Sequence, residues 1–199
     1  KRPVAIQTLG AMAMKKAVAK PAEERAADFA AAEKWFLELQ ALQPLDESSY
    51  TNLAGIYLAE KNYPKAIVQL LVLQRHEQKD DRIARTLAEL FQKQGDLKQA
   101  REEHKLALAL RRTTFGRDSH WAALSEAELA DTLESGDKTE SREDLLRHAL
   151  KILEQTFPAS HPKVKDSAEK LAKALTDAGQ ADQAAELRKK YDLPTSATK

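Results

Sequence analysis

The sequence contains no cysteine. That excludes disulfides, thiolate metal sites and a cysteine nucleophile, and it leaves the redox compartment open. Glycine and proline are scarce, with six and seven copies in 199 residues. With 42% hydrophobic residues, this is the composition of a chain that folds rather than a low-complexity segment. Neither sign of charge dominates, since 32 basic residues face 31 acidic ones. Nothing in that balance calls for nucleic acid. No run approaches the roughly 20 apolar residues of a membrane-spanning helix. There is no glycine-rich phosphate loop and no G-x-S-x-G elbow.

What the chain has in abundance is alanine, which favours helix and lets helices approach closely. Four alanines, Ala54, Ala88, Ala130 and Ala172, sit in the same small pattern at spacings of 34, 42 and 42. The pattern reads Tyr50, Leu53, Ala54, Tyr57, then Ala84, Leu87, Ala88, Phe91. It returns as Glu126, Leu129, Ala130, Leu133 and as Ala168, Leu171, Ala172, Leu175. Offsets of three, four and seven residues place these side chains on one helix face. Recurrence at such a period predicts stacked helical units instead of one globular core. A second small residue follows 12 positions later at Ala66, Ala100 and Ala184, with Arg142 in the corresponding place of the third unit. Each unit therefore reads as helix, turn, helix. The turns are Lys61-Asn62-Tyr63-Pro64, Gln94-Gly95-Asp96, Ser135-Gly136-Asp137 and Ala178-Gly179-Gln180. Glycine just past a helix end supplies a left-handed cap, and Pro64 suits a first helical turn.

Together these residues resemble the tetratricopeptide repeat over roughly residues 22–191. The resemblance implies an all-α, right-handed superhelix of antiparallel helix pairs, with about nine or ten helices. Glu126, Arg142, His104 and Arg188 depart from the apolar or small residues of the family, and imply looser packing in the later units. Counting back 34 residues from Ala66 reaches Ala32, so Phe29–Gln43 reads as the second helix of an earlier unit. Trp35, Phe36 and Leu39 are expected to pack on the next helix pair. The first helix of that unit falls on residues 4–19, with Lys20 where the alanine belongs, and reads as degenerate or displaced. The expected organisation is a basic N-terminal helix at 1–21, a partial unit at 22–46, units at 47–80, 81–122, 123–164 and 165–193, and a disordered tail at 194–199.

The longer spacing adds eight residues at the end of the second helix and in the next connection. Both connections contain an aromatic residue, a turn and a histidine: Phe115-Gly116-Arg117-Asp118-Ser119-His120 and Phe157-Pro158-Ala159-Ser160-His161-Pro162. They resemble the long repeats of kinesin light chains, although Trp121 replaces the proline in the first.

Five histidines are present, His76, His104, His120, His148 and His161, and none shows metal-ligand spacing. His120 and His161 read as capping or packing residues. No catalytic residue, cofactor or metal site is expected. The resemblance implies instead a non-catalytic scaffold that binds a peptide or protein surface in a concave groove lined by the first helices. The groove residues it implies are Thr51 and Asn52, then Arg85 and Glu89, Glu128 and Asp131, Lys170 and Lys173, with Arg82 and Leu124 facing the same way. The groove is then polar, basic around Arg82 and Arg85, acidic around Glu128, Asp131 and Glu134, and mixed around Lys173. The carboxylate clamp of chaperone-tail-binding relatives is incomplete, because Asn52 and Arg82 match it while Ala17, Pro21 and Thr86 do not. Two alternatives stand beside the scaffold. One is a self-associating module pairing through Leu187, Tyr191 and the stretch from Val4 to Val18; the other is a regulatory segment of a larger enzyme. The chain starts at Lys1 and carries Lys1, Arg2, Lys15, Lys16 and Lys20 before any acid. That stretch reads as a basic helix leading into the array, with a remnant of a targeting or membrane-proximal segment as the other reading. The partner's identity and the compartment are open at this stage.

Overall fold

The computed structural model describes residues 2–133 and 141–194. Within them are ten α-helices: α1 Pro3–Val18, α2 Ala26–Leu42, α3 Glu47–Ala59, α4 Tyr63–His76, α5 Asp81–Gln94, α6 Leu97–Phe115, α7 His120–Ala130, α8 Arg142–Thr156, α9 Pro162–Asp177 and α10 Ala181–Lys190. A single 3-10 turn, Ala22–Glu24, lies between α1 and α2. No strand occurs among the described residues. The turn Ser135-Gly136-Asp137, Glu134 and all but Pro194 of the predicted tail lie outside them.

Local chemistry sets the helix boundaries. Asp46, Asn62, Asp80, Asp96, Ser119 and Ser141 each accept a backbone N–H of the first turn that follows. Such caps satisfy donors the helix cannot pair internally. His161 does the same for α9, its Nδ1 accepting from the Lys163 N–H at 3.2 Å. At the far ends, Gly95 and Gly179 take φ of 79° and 77°, the left-handed geometry that glycine adopts without penalty. The first turn has no glycine, and Lys61 adopts φ 57° in the equivalent place.

The helices gather into two compact units, Lys1–Lys79 and Asp80–Lys199. In the first, α1 packs on α2, α2 on α3 and α3 on α4. Its core holds Ile6, Phe29, Ala32, Phe36, Leu39, Leu53, Ala54, Tyr57 and Ala66. Phe36 packs backward: a Cβ on Gly10 would lie 2.9 Å from its ring. The small residue of the first pair is therefore Gly10, ten positions ahead of the Lys20 reached by counting. The connection between α1 and α2 is longer than the turns that follow α3, α5 and α9, and a fixed period cannot anticipate that. Lys20 instead closes the connection, since it and Lys16 pair with the buried Asp28 and its carbonyl accepts from Arg25 Nε at 2.8 Å. Tyr57 is 3% exposed and donates to Glu33 at 2.7 Å, which also receives Lys65 at 3.1 Å.

In the second unit each helix packs on the next, from α5 to α10. The residues added by the long spacing go into helix. α6 has 19 residues against 14 in α4, about 7.5 Å more at 1.5 Å per residue. The rest lengthen the start of the following helix: α7 begins six residues before Glu126, whereas α5 begins three before Ala84. The connection between α6 and α7 is no longer than that between α4 and α5.

The residues that depart from the repeat pattern do not loosen this unit. Glu126 is completely buried, and Arg112 at 2.7 Å and His148 Nδ1 at 2.6 Å meet its two carboxylate oxygens. His104 is 2% exposed with Nε2 3.4 Å from Gln92 Oε1. Arg142 reaches Asp177 at 3.0 Å, and Arg188 lies beside Thr176. Each polar side chain enters the fold with a specific neighbour, as buried polar groups must.

Candidate partner-binding site

In the second unit the expected site residues lie on the first helices of successive pairs, α5, α7 and α9. Arg85 of α5 forms a two-pronged bond to Glu128 of α7, Nε to Oε2 at 2.9 Å and Nη2 to Oε1 at 2.7 Å. Asp131, one residue past the end of α7, receives Lys170 of α9 at 2.7 Å. The expected run from basic to acidic to mixed is thus a row of charges that pair with one another across the helices. Burial of the pair shows in the cations. The Arg85 guanidinium is held above its ordinary pKa, first by its bond to Glu128, against the opposing effect of burial. Burial acts to lower Lys170, but Asp131 and its neighbours outweigh it, so its pKa is raised. His104 lies within reach of the same four charges, and burial lowers its pKa.

The outer members differ. Glu89 lies 3.8 Å from Arg85 and its side chain is 56% exposed. Lys173 is exposed. Arg82 turns back to its own helix cap, with Nη2 2.6 Å from Asp80 Oδ2, and its side chain is 82% exposed. Leu124 is half-buried against the core. In the first unit, Thr51 is exposed and Asn52 half-buried, and each bonds to a carbonyl one turn back, Glu47 and Ser48. Beside them Gln7 of α1 donates to Ser48 at 2.9 Å, and Met14 Cε lies 3.6 Å from where a Cβ on Gly55 would stand. That face is polar and uncharged at these positions.

Arg112 and His148 escaped the sequence reading, since neither occupies a repeat position. With Arg117, Glu126, Ser141, Asp144 and Leu145 they line a cleft of about 370 Å³. Its central carboxylate is engaged by its own arginine and histidine. The signal that would have found them is Glu126 itself, an acid at an inward-facing position that requires a partner.

Other expectations are placed differently. Tyr191, offered for pairing with another copy, is 2% exposed and donates its hydroxyl to Glu154 within its own unit. Leu187 packs on the core of that unit. Val4, Leu9, Met12 and Val18 of α1 do face solvent. Among the described residues no cluster of His, Asp and Glu is arranged to hold a metal, and no helix is long and apolar enough to cross a membrane.

Residues 81–155 match the family model described as tetratricopeptide repeat. No curated protein matches the chain. Among solved structures, the chain is similar to a protein from Podosopora anserina with nearly identical kinesin-light-chain TPR-like repeats. That match has 19% identity, covers 96% of this chain and 95% of the other, and has a TM-score of 0.69. It is also similar to MamA, at 14% identity, 95% and 89% coverage and a TM-score of 0.69. BtubC from P. vanneervenii matches at 14% identity, 99% and 93% coverage and a TM-score of 0.60. At these identities the likeness speaks to fold. The alanine register, the capped helix pairs and the family match agree: residues 81–155 match the tetratricopeptide repeat, and the fold is an all-α array of antiparallel helix pairs similar to kinesin-light-chain TPR-like repeats.

Proposed function

We propose that this protein is a non-catalytic scaffold that binds a peptide or protein surface across the first helices of its repeats. The fold supports the general role, since tetratricopeptide arrays are protein-interaction modules. The single observation that favours this face is its row of mutually fixed charges. Arg85, Glu128, Asp131 and Lys170 hold one another in place across three helices. A polar surface already ordered loses little side-chain entropy when a partner arrives. Its exposed outer charges, Glu89 and Lys173, remain available to choose among partners by sign. Arg85 is a poor probe of binding, because its replacement disturbs Glu128 as well.

The informative variant is therefore Glu89→Lys combined with Lys173→Glu, compared with the unaltered chain in affinity capture from an extract of the source cells. A protein retained by the unaltered chain and lost from the variant, with helix content and melting temperature equal, supports the reading. Equal capture by both overturns it.

A second reading, self-association, rests on the exposed apolar residues of α1, where Val4 is 72% and Met12 64% exposed. Light scattering over a range of concentrations tests it, and a monomer throughout removes it.

A further inference from the structure

At the starts of α7 and α9 the second unit carries a surface that the charge row leaves unused. Five rings run in contact from the α6–α7 corner to the α8–α9 corner. Phe115 lies 5.9 Å from Trp121, Trp121 4.6 Å from His120, and His120 5.4 Å from Phe157, which stacks on His161 at 4.3 Å. The strip is open to water, with Phe115 49% and Trp121 38% exposed.

The charge around it is positive. Lys163 Nζ stands 5.1 Å from the Trp121 ring centre and 5.4 Å from that of Phe157. Among the described residues no carboxylate pairs with it. Arg111 also lies against Trp121, but Asp81 holds it at 2.7 Å. The His120 imidazole is kept below its usual pKa by burial and then by Lys163 and Arg111, with no acid acting on it. Two helices, α7 and α9, begin at this strip, and neither has an acid in its first turn. In α9 that turn carries instead Lys163 and Lys165, of which Lys165 lies 3.9 Å from Asp192. A helix start has a positive partial charge and favours acids, so Lys163 opposes the local field until an anion arrives. Simple clamping of the two corners accounts for the ring contacts, yet it calls for neither Lys163 nor an exposed tryptophan.

We propose that the strip binds a short acidic segment of another protein, with a carboxylate beside Lys163 and an adjoining apolar side chain on Trp121 and Phe115. One unpaired lysine suits one or two carboxylates, whereas a nucleic-acid backbone is held by a row of cations. Trp121 and Lys163 precede Glu128 and Lys170 by seven residues each, so the strip lies at the starts of α7 and α9 on the same helix faces, but its contacts include none of the paired charges Arg85, Glu128, Asp131 and Lys170.

The test uses the full chain and a fluorescent peptide alternating aspartate and leucine, followed by anisotropy. Its controls are the same peptide with asparagine for aspartate and a thymidine oligonucleotide. Lys163→Met keeps the stem and removes the charge, and is expected to weaken binding about five- to tenfold. Trp121→Ala is expected to weaken it by about tenfold or more. The Glu89→Lys/Lys173→Glu variant retains full affinity, and in NMR the peptide shifts the Trp121 indole signal but not that of Trp35. Lack of binding at millimolar peptide, equal affinity of Lys163→Met, equal affinity for the asparagine peptide, or tighter binding of the oligonucleotide would each overturn the proposal. Loss of binding in the Glu89→Lys/Lys173→Glu variant would also overturn it and assign the peptide to the charge row.

Discussion

Replacing Gly10 with alanine sets two effects of opposite sign against each other. In an exposed helix interior the change stabilises by about 0.5–1 kcal/mol, because alanine loses less backbone freedom on folding. Gly10, however, is buried in α1. A Cβ there would lie 2.9 Å from both Cε1 and Cζ of Phe36 and 3.2 Å from Cδ1. Carbon atoms in contact sit at about 3.5–4.0 Å, so the overlap is more than half an ångström. Phe36 is fully buried, and its ring has no solvent to retreat into. Either α1 and α2 separate or the ring leaves its rotamer, at a cost of about 1–3 kcal/mol. The clash outweighs the propensity gain, and the expected net destabilisation is about 0.5–2 kcal/mol. Urea unfolding measures it, with Trp35 as the reporter in a Trp121→Phe background, since Trp35 shares a unit with Gly10 and Trp121 does not. A double-mutant cycle with Phe36→Leu makes the reasoning specific. Once the ring is gone, Gly10→Ala is expected to cost about 1 kcal/mol less than in the parent chain. A raised urea midpoint for Gly10→Ala, or strict additivity in the cycle, would refute the close approach of α1 to Phe36.

Two further predictions concern buried polar groups in the second unit. Arg112→Met leaves the Glu126 carboxylate, which is 0% exposed, with His148 as its remaining partner, and is expected to cost about 2–4 kcal/mol. Glu126→Leu removes the buried charge and frees Arg112 and His148, both partly exposed, to reach water, so the expected cost is within about 1 kcal/mol. Thermal melts of both variants decide this, and a larger loss for Glu126→Leu would refute it. Burial holds the His104 imidazole below its usual 6.5. The folded chain keeps that ring neutral while the unfolded chain takes up a proton as pH falls past that value, so stability declines on acidification. His104→Gln is expected to flatten the urea-midpoint profile between about pH 7 and 5. The same slope in both proteins would show that His104 is not the source.

The repeat register was legible in the sequence where short-range periodicity carries the information. Offsets of three, four and seven put Ala54, Ala88, Ala130 and Ala172 in the core, and all four are buried. The same register placed Arg85, Glu128, Asp131 and Lys170 on the first helices of their pairs. It did not reveal that they neutralise one another, because Arg85 and Glu128 are 43 residues apart and meet only when α5 and α7 are stacked side by side. It also treated Glu126 and His104 as flaws in the pattern, since a repeat position records burial but not the partner that satisfies a polar group.

The sequence by itself determined the all-α class, the repeat register and the chemistry of the helix caps, because each arises from residues within a turn or two of one another. Tertiary packing alone decided the rest. It made Gly10 rather than Lys20 the point of closest helix approach, and joined Glu126 to Arg112 and His148. It also drew two separate Phe-and-His connections into one aromatic strip with Lys163. These outcomes depend on which side chains reach across neighbouring helices, a distance that no count along the chain supplies.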